Sequence, residues 1–208
     1  MNSEPMIFVV DDDAAMRHSL TWLVESAGLR VQAFASAEDF LARVDPLRVR
    51  LGCLLLDVRM PGMSGLELQA YLARDEVGLP VILITGHGDV PMAVQAMRAG
   101  AFDFIEKPFD DEALLRSIQR ALELQTRDRV RHIQRLEIQG RLATLTPREY
   151  EVMEQVVAGH PNKEIAAALG VSTKTVEAHR AKVMDKMNAR SLAELVRMCL
   201  TAAPAPNR

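Results

Sequence analysis

The sequence predicts an α/β doubly wound five-stranded parallel sheet followed by a small all-α four-helix module. Three observations lead there. Short apolar runs alternate with amphipathic helical patterns five times over the first ~125 residues. Several of those runs are continuously apolar, as in strands covered on both faces. After Gly140 every segment reads as helix and no strand pattern remains.

The elements follow in order. Residues 7–10 form a short apolar run ending in acids, and residues 30–34 alternate. Residues 53–56 are continuously apolar, residues 81–85 are apolar and β-branched behind Pro80, and residues 103–106 make a short fifth strand. Helical patterns lie between them at 14–27, 37–44, 65–74 and 90–99, and from 111 onward. Gly28 and Gly100 read as helix stops, and Ser36 with Asp39 three later reads as an N-cap. From Asp110 to Leu136 no Pro or Gly interrupts the chain, so one long helix, or two nearly continuous ones, bridges the two parts. Its charged middle, TRDRVRHIQR, fits a solvated spacer or a coiled-coil contact equally well. Thr146-Pro147-Arg148-Glu149 combines a capping box with Pro at the first helical position. Ser172 opens a helix to Met187, Ser191 with Glu194 opens the last, and Gly159 and Gly170 stop the two helices between. The tail from Ala202 reads as frayed. The resulting domains are 5–122, a helical linker 123–141, and 142–204.

Composition bounds the function. The 208 residues are 49% hydrophobic and 25% charged, an ordinary globular mix. No stretch approaches the ~20 apolar residues of a membrane span. The start, MNSEPM, lacks the basic and apolar regions of a secretion signal. Cys53 and Cys199 read as reduced, buried thiols, which places the protein in the cytoplasm. Residues 1–140 carry −6 (15 basic against 21 acidic) and residues 141–208 carry +3 (10 against 7), suggesting different partners for the two parts.

Four features converge on strand carboxyl ends, where ligands bind in open parallel sheets. Asp11, Asp12 and Asp13 follow strand one, Asp57 follows strand three, Thr85 ends strand four, and Lys107 follows strand five. Clustered carboxylates repel and need a cation, and all-oxygen ligands favour a hard ion such as Mg²⁺. Lys107 can pair with a phosphoryl oxygen as a point charge. Taken alone, the aspartate triplet could equally be helix N-cap acids.

The segments VVDDD, LLLDVRMPGMSG and ITGHGDVPMAVQAMRAGAFDFIEKPF resemble the receiver domain of two-component response regulators, closest to the FixJ type. The resemblance covers residues 5–125. It implies a flavodoxin-like sheet of order 2-1-3-4-5. It implies that Asp57 accepts a phosphoryl group from a sensor histidine kinase, giving a 4-aspartylphosphate. Asp12 would ligate Mg²⁺ directly, Asp11 through water, with Asp57 and the Arg59 backbone carbonyl completing the set. Thr85 and Phe104 would be the switch pair and Lys107 the phosphoryl-binding cation, followed by a cis peptide to Pro108. Many family members carry Glu where this chain has Asp13. The surface of helix 90–99, strand 103–106 and the fifth helix would carry a phosphorylation-dependent homodimer, though Val90, Met92 and Met97 could equally be core.

In the C-terminal part, two helices joined through Gly170–Ser172 make a helix-turn-helix. Such a module sets its second helix in the major groove of DNA. On a helical wheel Val176, Val183 and Met187 face inward, while Lys174, Glu177, Ala178, Ala181, Lys182 and Asp185 face out. Lys174 and Lys182 can meet phosphates, Glu177 can accept from a cytosine amino group, and Lys163 at the preceding helix start can hold another phosphate. A protein-binding bundle with a solvated face is the alternative, and Asp185 leans toward it. NKEIAAALGVSTKTVEAHR resembles the LuxR-type DNA-binding domain. That resemblance implies contacts with a two-fold DNA site from Thr173, Lys174, Thr175, Glu177, Ala178 and Lys182. His179 and Arg180 lie on the flank. Leu192, Leu195, Val196 and Met198 of the last helix would serve a dimer contact or the core.

The whole then reads as a response regulator transcription factor rather than an enzyme, with RNA polymerase a further candidate partner. An Mg²⁺-dependent phosphatase is the enzymatic alternative, but Asp-x-Asp-x-Thr is absent, since Ala15 stands at its Thr position. A ligand-sensing regulator fits poorly with one Trp and two Tyr.

Overall fold

A computed structural model describes residues 4–45, 51–74, 78–86 and 90–202. Residues 87–89 of the GHGDVPMAV motif and the tail beyond Ala202 lie outside the described residues. The order is β1 Met6–Val10, α1 Ala14–Ser26, β2 Arg30–Phe34, α2 Ala37–Arg43, β3 Gly52–Asp57, α3 Gly65–Arg74, β4 Val81–Thr85, α4 Val90–Arg98, β5 Asp103–Glu106, α5 Asp111–Leu142. Four helices follow: α6 Pro147–Val157, α7 Asn162–Leu169, α8 Thr173–Met187 and α9 Leu192–Ala202. All five strands are parallel, in the order β2-β1-β3-β4-β5.

Strand alternation sorts the core into two layers. Ile7, Val9, Cys53, Leu55, Ile82 and Ile84 pack with Leu20, Leu23 and Val24 of α1 and Leu114, Ile118 and Ala121 of α5. Phe8, Val10, Leu54, Leu56 and Leu83 pack on the other face with Phe40 of α2, Leu68 and Leu72 of α3 and Ala96 of α4. A sheet covered on both faces explains why β3 and β4 are buried throughout and apolar up to their last residues, Asp57 and Thr85. Burial also pushes the Cys53 thiol well above its ordinary range, so it stays protonated and inert.

The helix signals act as the sequence indicates. Ser36 accepts the Asp39 N–H, and Gly28, Gly100, Gly159 and Gly170 all take positive φ. The α8 stop at Asn188, with φ of 53°, was not read from the sequence; an αL asparagine closes the helix as glycine commonly does. The chain forms two compact units, Met1–Asp128 and Arg129–Arg208, and the division falls within the single helix α5. Gln125 belongs to the first unit, its amide bridging the Gly52 N–H and the Gly78 carbonyl. Ile138 is buried in the second unit's core.

That second core gathers Val152, Met153 and Val156 of α6, Ile165 of α7, Val176, Val183 and Met187 of α8, and Leu195 and Met198 of α9. The capping box at Thr146 forms as expected, with both reciprocal hydrogen bonds. Glu149 also accepts from Lys186 Nζ at 2.6 Å. Lys186, then the Thr146 N–H, hold its carboxyl down to about 2. A depressed carboxyl contributes stability above its unfolded pKa and loses it as pH falls through the folded value. Glu149→Gln is therefore expected to lower the unfolding midpoint of the C-terminal unit at neutral pH. The deficit should shrink below the ordinary carboxylate range and vanish near pH 2, as followed by circular dichroism. A deficit independent of pH would contradict the ion-pair account.

Candidate functional site

Asp57 is the last residue of β3, Thr85 the last of β4, and Asp11 the first residue after β1. Because these strands are parallel neighbours, their carboxyl ends bring the three side chains to one edge. All three are buried, with Asp11 and Thr85 at 1% exposure and Asp57 at 8%. Lys107, just past β5, reaches back into this edge. Its Nζ donates to Asp11 Oδ2 at 2.8 Å and to Asp57 Oδ1 at 2.7 Å. The Lys107 N–H donates to the Thr85 carbonyl, and the Lys107–Pro108 peptide is cis. The second Asp57 oxygen, Oδ2, accepts the Arg59 N–H at 2.7 Å.

Burial raises the Asp57 carboxyl above the usual range; Lys107 pulls it down, less strongly, and Asp11 adds to the rise. Burial also pulls the Lys107 ammonium down, but Asp11 and Asp57 outweigh it and hold its pKa up, so it stays charged.

The three consecutive aspartates divide their work. Asp11 Oδ1 accepts the Asp13 N–H while its other oxygen faces Lys107. Asp13 caps α1, accepting the Ala15 and Met16 N–H groups. Asp12 is exposed. Two residues unforeseen from the sequence hold the surrounding loops. Arg17 Nη1 donates to the carbonyls of both Asp11 and Asp12 at 2.8 Å. Glu38 accepts the Met63 N–H from the loop after β3. An Arg one turn into α1 was a visible signal for the first; the second joins positions 25 apart and leaves none.

The oxygens suit a hard cation in one respect. Asp11 and Asp57 present carboxylate oxygens no more than about 5.5 Å apart, the two Lys107 bonds laid end to end. Mg²⁺ commonly takes one or two carboxylates and fills the rest of its shell with water. Among the described residues no cluster of three or more His, Cys, Asp or Glu is arranged to hold a metal by itself. The site thus fits a partly hydrated ion and not a complete protein cage.

Phe104 pairs with Leu83 across β4 and β5, two positions before Thr85, and so shares its face of the sheet. It is partly buried against that core layer, which extends to α4. On α4 itself Val90 and Met97 are exposed, whereas Met92 packs partly onto the core.

In the second unit, Gly170 in the αL conformation turns α7 into Ser172, whose hydroxyl accepts the Thr175 N–H and starts α8. Val176, Val183 and Met187 are buried, and Thr173, Lys174, Glu177, Ala178, Ala181, Lys182 and Asp185 are exposed. Thr175 is partly buried, its hydroxyl hydrogen-bonded to that of Ser172. Lys163 is exposed on the first turn of α7, whose cap residue Pro161 makes no side-chain cap bond. Arg180 Nη1 donates to Asn162 Oδ1 at 2.6 Å, fixing α8 to the start of α7. His179 is partly buried. In α9, Leu195 and Met198 enter the core while Leu192 is exposed.

Residues 7–119 match the response regulator receiver domain, and residues 143–199 match the bacterial regulatory proteins of the luxR family. The transcriptional regulatory protein FixJ of Azorhizobium caulinodans is 49% identical over 96% of this chain and 94% of its own. The chain belongs to the FixJ-like response regulators. FixJ of Rhizobium meliloti is 48% identical over 97% of this chain and 98% of its own. Among solved structures, the response regulator StyR superposes with a TM-score of 0.82 at 43% identity, covering 95% of this chain and 99% of that one. The response regulator therefore joins a receiver fold to a LuxR-type DNA-binding domain and is a transcription regulator, not a member of an enzyme family. Among the described residues no helix is long and apolar enough to cross a membrane.

An acid whose folded pKa is raised destabilises the fold when ionised, and that penalty shrinks as pH falls below the folded pKa and is gone below the unfolded value. Asp57→Asn is accordingly expected to raise the thermal midpoint of the receiver at neutral pH, with the gain shrinking in the acid range. An unchanged or lower midpoint at neutral pH would contradict the burial account.

Proposed function

We propose that this response regulator accepts a phosphoryl group on Asp57 from a sensor histidine kinase. The observation that carries the reading is the Asp57 carboxylate, buried at the strand edge and held by Lys107 and the Arg59 N–H. In the transfer, an Asp57 oxygen forms a bond to phosphorus as the phosphorus–nitrogen bond to the kinase imidazole breaks. Mg²⁺, carried by Asp11, Asp12, Asp57 and the Arg59 carbonyl, would supply charge neutralisation for the phosphoryl oxygens. Lys107 exchanges its bond to Asp57 for one to a phosphoryl oxygen. The new group brings a charge of about −1.5 to −2 and three acceptors to this edge. Thr85 donates to one of them, and Phe104 turns into the space vacated. The receiver then dimerises, and two C-terminal modules engage a two-fold DNA site through residues 173–182 and Lys163. We assign the two working parts to residues 5–122 and 142–204, joined by 123–141, and place the protein in the cytoplasm.

Beryllofluoride with Mg²⁺ is expected to drive the wild-type chain to a dimer in sedimentation and to tighten its binding to a two-fold operator. Asp57→Asn should do neither; a response retained in that variant would remove Asp57 as the switch. For the DNA face, Lys174→Ala is expected to weaken binding across sequences and reduce the slope of log affinity against log salt by about 1. An unchanged slope would mean that Lys174 meets no phosphate.

A further inference from the structure

The loop between β3 and α3, residues 58–64, begins at Asp57 and closes on it. The Gly65 N–H donates to the Val58 carbonyl at 3.0 Å, and a side chain on Gly65 would overlap the Asp57 carbonyl oxygen. Within the loop, the Arg59 N–H holds Asp57 Oδ2. The loop's backbone is thus in direct contact with the Asp57 carboxylate.

The far side of the same loop is held from another helix. Glu38, in the first turn of α2, accepts the Met63 N–H on Oε1 at 2.8 Å. Beside it Gly62 has φ of +75°, and a Cβ there would lie 2.6 Å from that same Glu38 oxygen. The left-handed backbone favours glycine there, and a Cβ would displace the end of the Glu38 side chain from its present position. Glu38 is itself exposed, so core packing does not explain its placement. The Met63 N–H is the foremost influence holding its carboxyl below the usual range, so the ionised form makes the bond.

We propose that Glu38 is a positioning residue for phosphoryl transfer: it fixes the 58–64 loop so that the Arg59 N–H presents Asp57 in its reactive orientation. This role rests on the reading of Asp57 as phosphoacceptor. Small misplacements of a reacting group cost rate steeply, whereas an exposed side chain contributes little to global stability.

The test uses the full-length chain with acetyl phosphate and Mg²⁺, following phosphorylation by intact mass. An Asp57 oxygen bonds to phosphorus as the acetyl oxygen–phosphorus bond breaks and acetate leaves. Glu38→Ala is expected to lower the maximal rate about tenfold with little change in the half-saturating acetyl phosphate concentration. Glu38→Gln, whose amide oxygen can accept the same N–H, should restore the rate to within about twofold of wild type. Gly62→Ala, which forces Glu38 to withdraw, should slow transfer as Glu38→Ala does. A wild-type rate in Glu38→Ala or Gly62→Ala, or a Glu38→Gln variant as slow as Glu38→Ala, would overturn the positioning role. Failure of the wild-type chain itself to take up phosphoryl groups would instead overturn the phosphoacceptor reading on which the role rests.

Discussion

Lys107 stands between two buried carboxylates, and the receiver's functional edge is organised around that ammonium. Asp11 and Asp57 would repel by about 3 kcal/mol at such a separation in a medium of effective dielectric about 20. The net rise of the Asp57 carboxyl shows that burial outweighs the pairing. An arrangement of this kind is expensive to keep and favours whatever brings more positive charge or spreads the negative charge outward. Added positive charge, or a group that draws Lys107 away from Asp57, would relieve it.

The rest of the fold serves to hold three strand ends in that relation. Each of β1, β3 and β4 is buried on both faces, so their relative register is fixed by two separate core layers. The parallel order places the Asp11, Asp57 and Thr85 ends side by side, and the loop beyond β5 returns Lys107 to them. The loops are tied where the backbone must be most exact: Arg17 on the carbonyls of Asp11 and Asp12, Glu38 on the loop after Asp57. In the C-terminal unit the logic is simpler. A buried stripe of Val176, Val183 and Met187 leaves the polar face of α8 turned to solvent.

Much of this was legible in the sequence because it depends on local pattern. Asp57 closes a continuous apolar strand, Lys107 precedes a proline, and the α8 wheel separates buried from exposed positions by spacing alone. The capping box at Thr146 and the positive-φ glycines are likewise local. What remained hidden depends on tertiary pairing. The aspartate triplet offered helix capping as one reading but not its division, in which Asp13 alone caps α1 while Asp11, and not Asp12, shares Lys107 with Asp57. The bridge from Gln125 to Gly52 spans 73 positions, a distance over which no motif operates. On α4, Val90, Met92 and Met97 look alike as apolar residues, yet only the helix's orientation on the sheet decides that Met92 packs inward.

On the reading proposed above, the buried, lysine-held carboxylate of Asp57 is the group that receives the phosphoryl group. Intact mass spectrometry after incubation with acetyl phosphate and Mg²⁺, followed by borohydride trapping and peptide mapping, tests it most directly. The wild-type chain is expected to gain one phosphoryl group, with the trapped product at Asp57 alone. A phosphoryl group mapped to Asp11, Asp12 or any other residue, or uptake undiminished in Asp57→Asn, would contradict it.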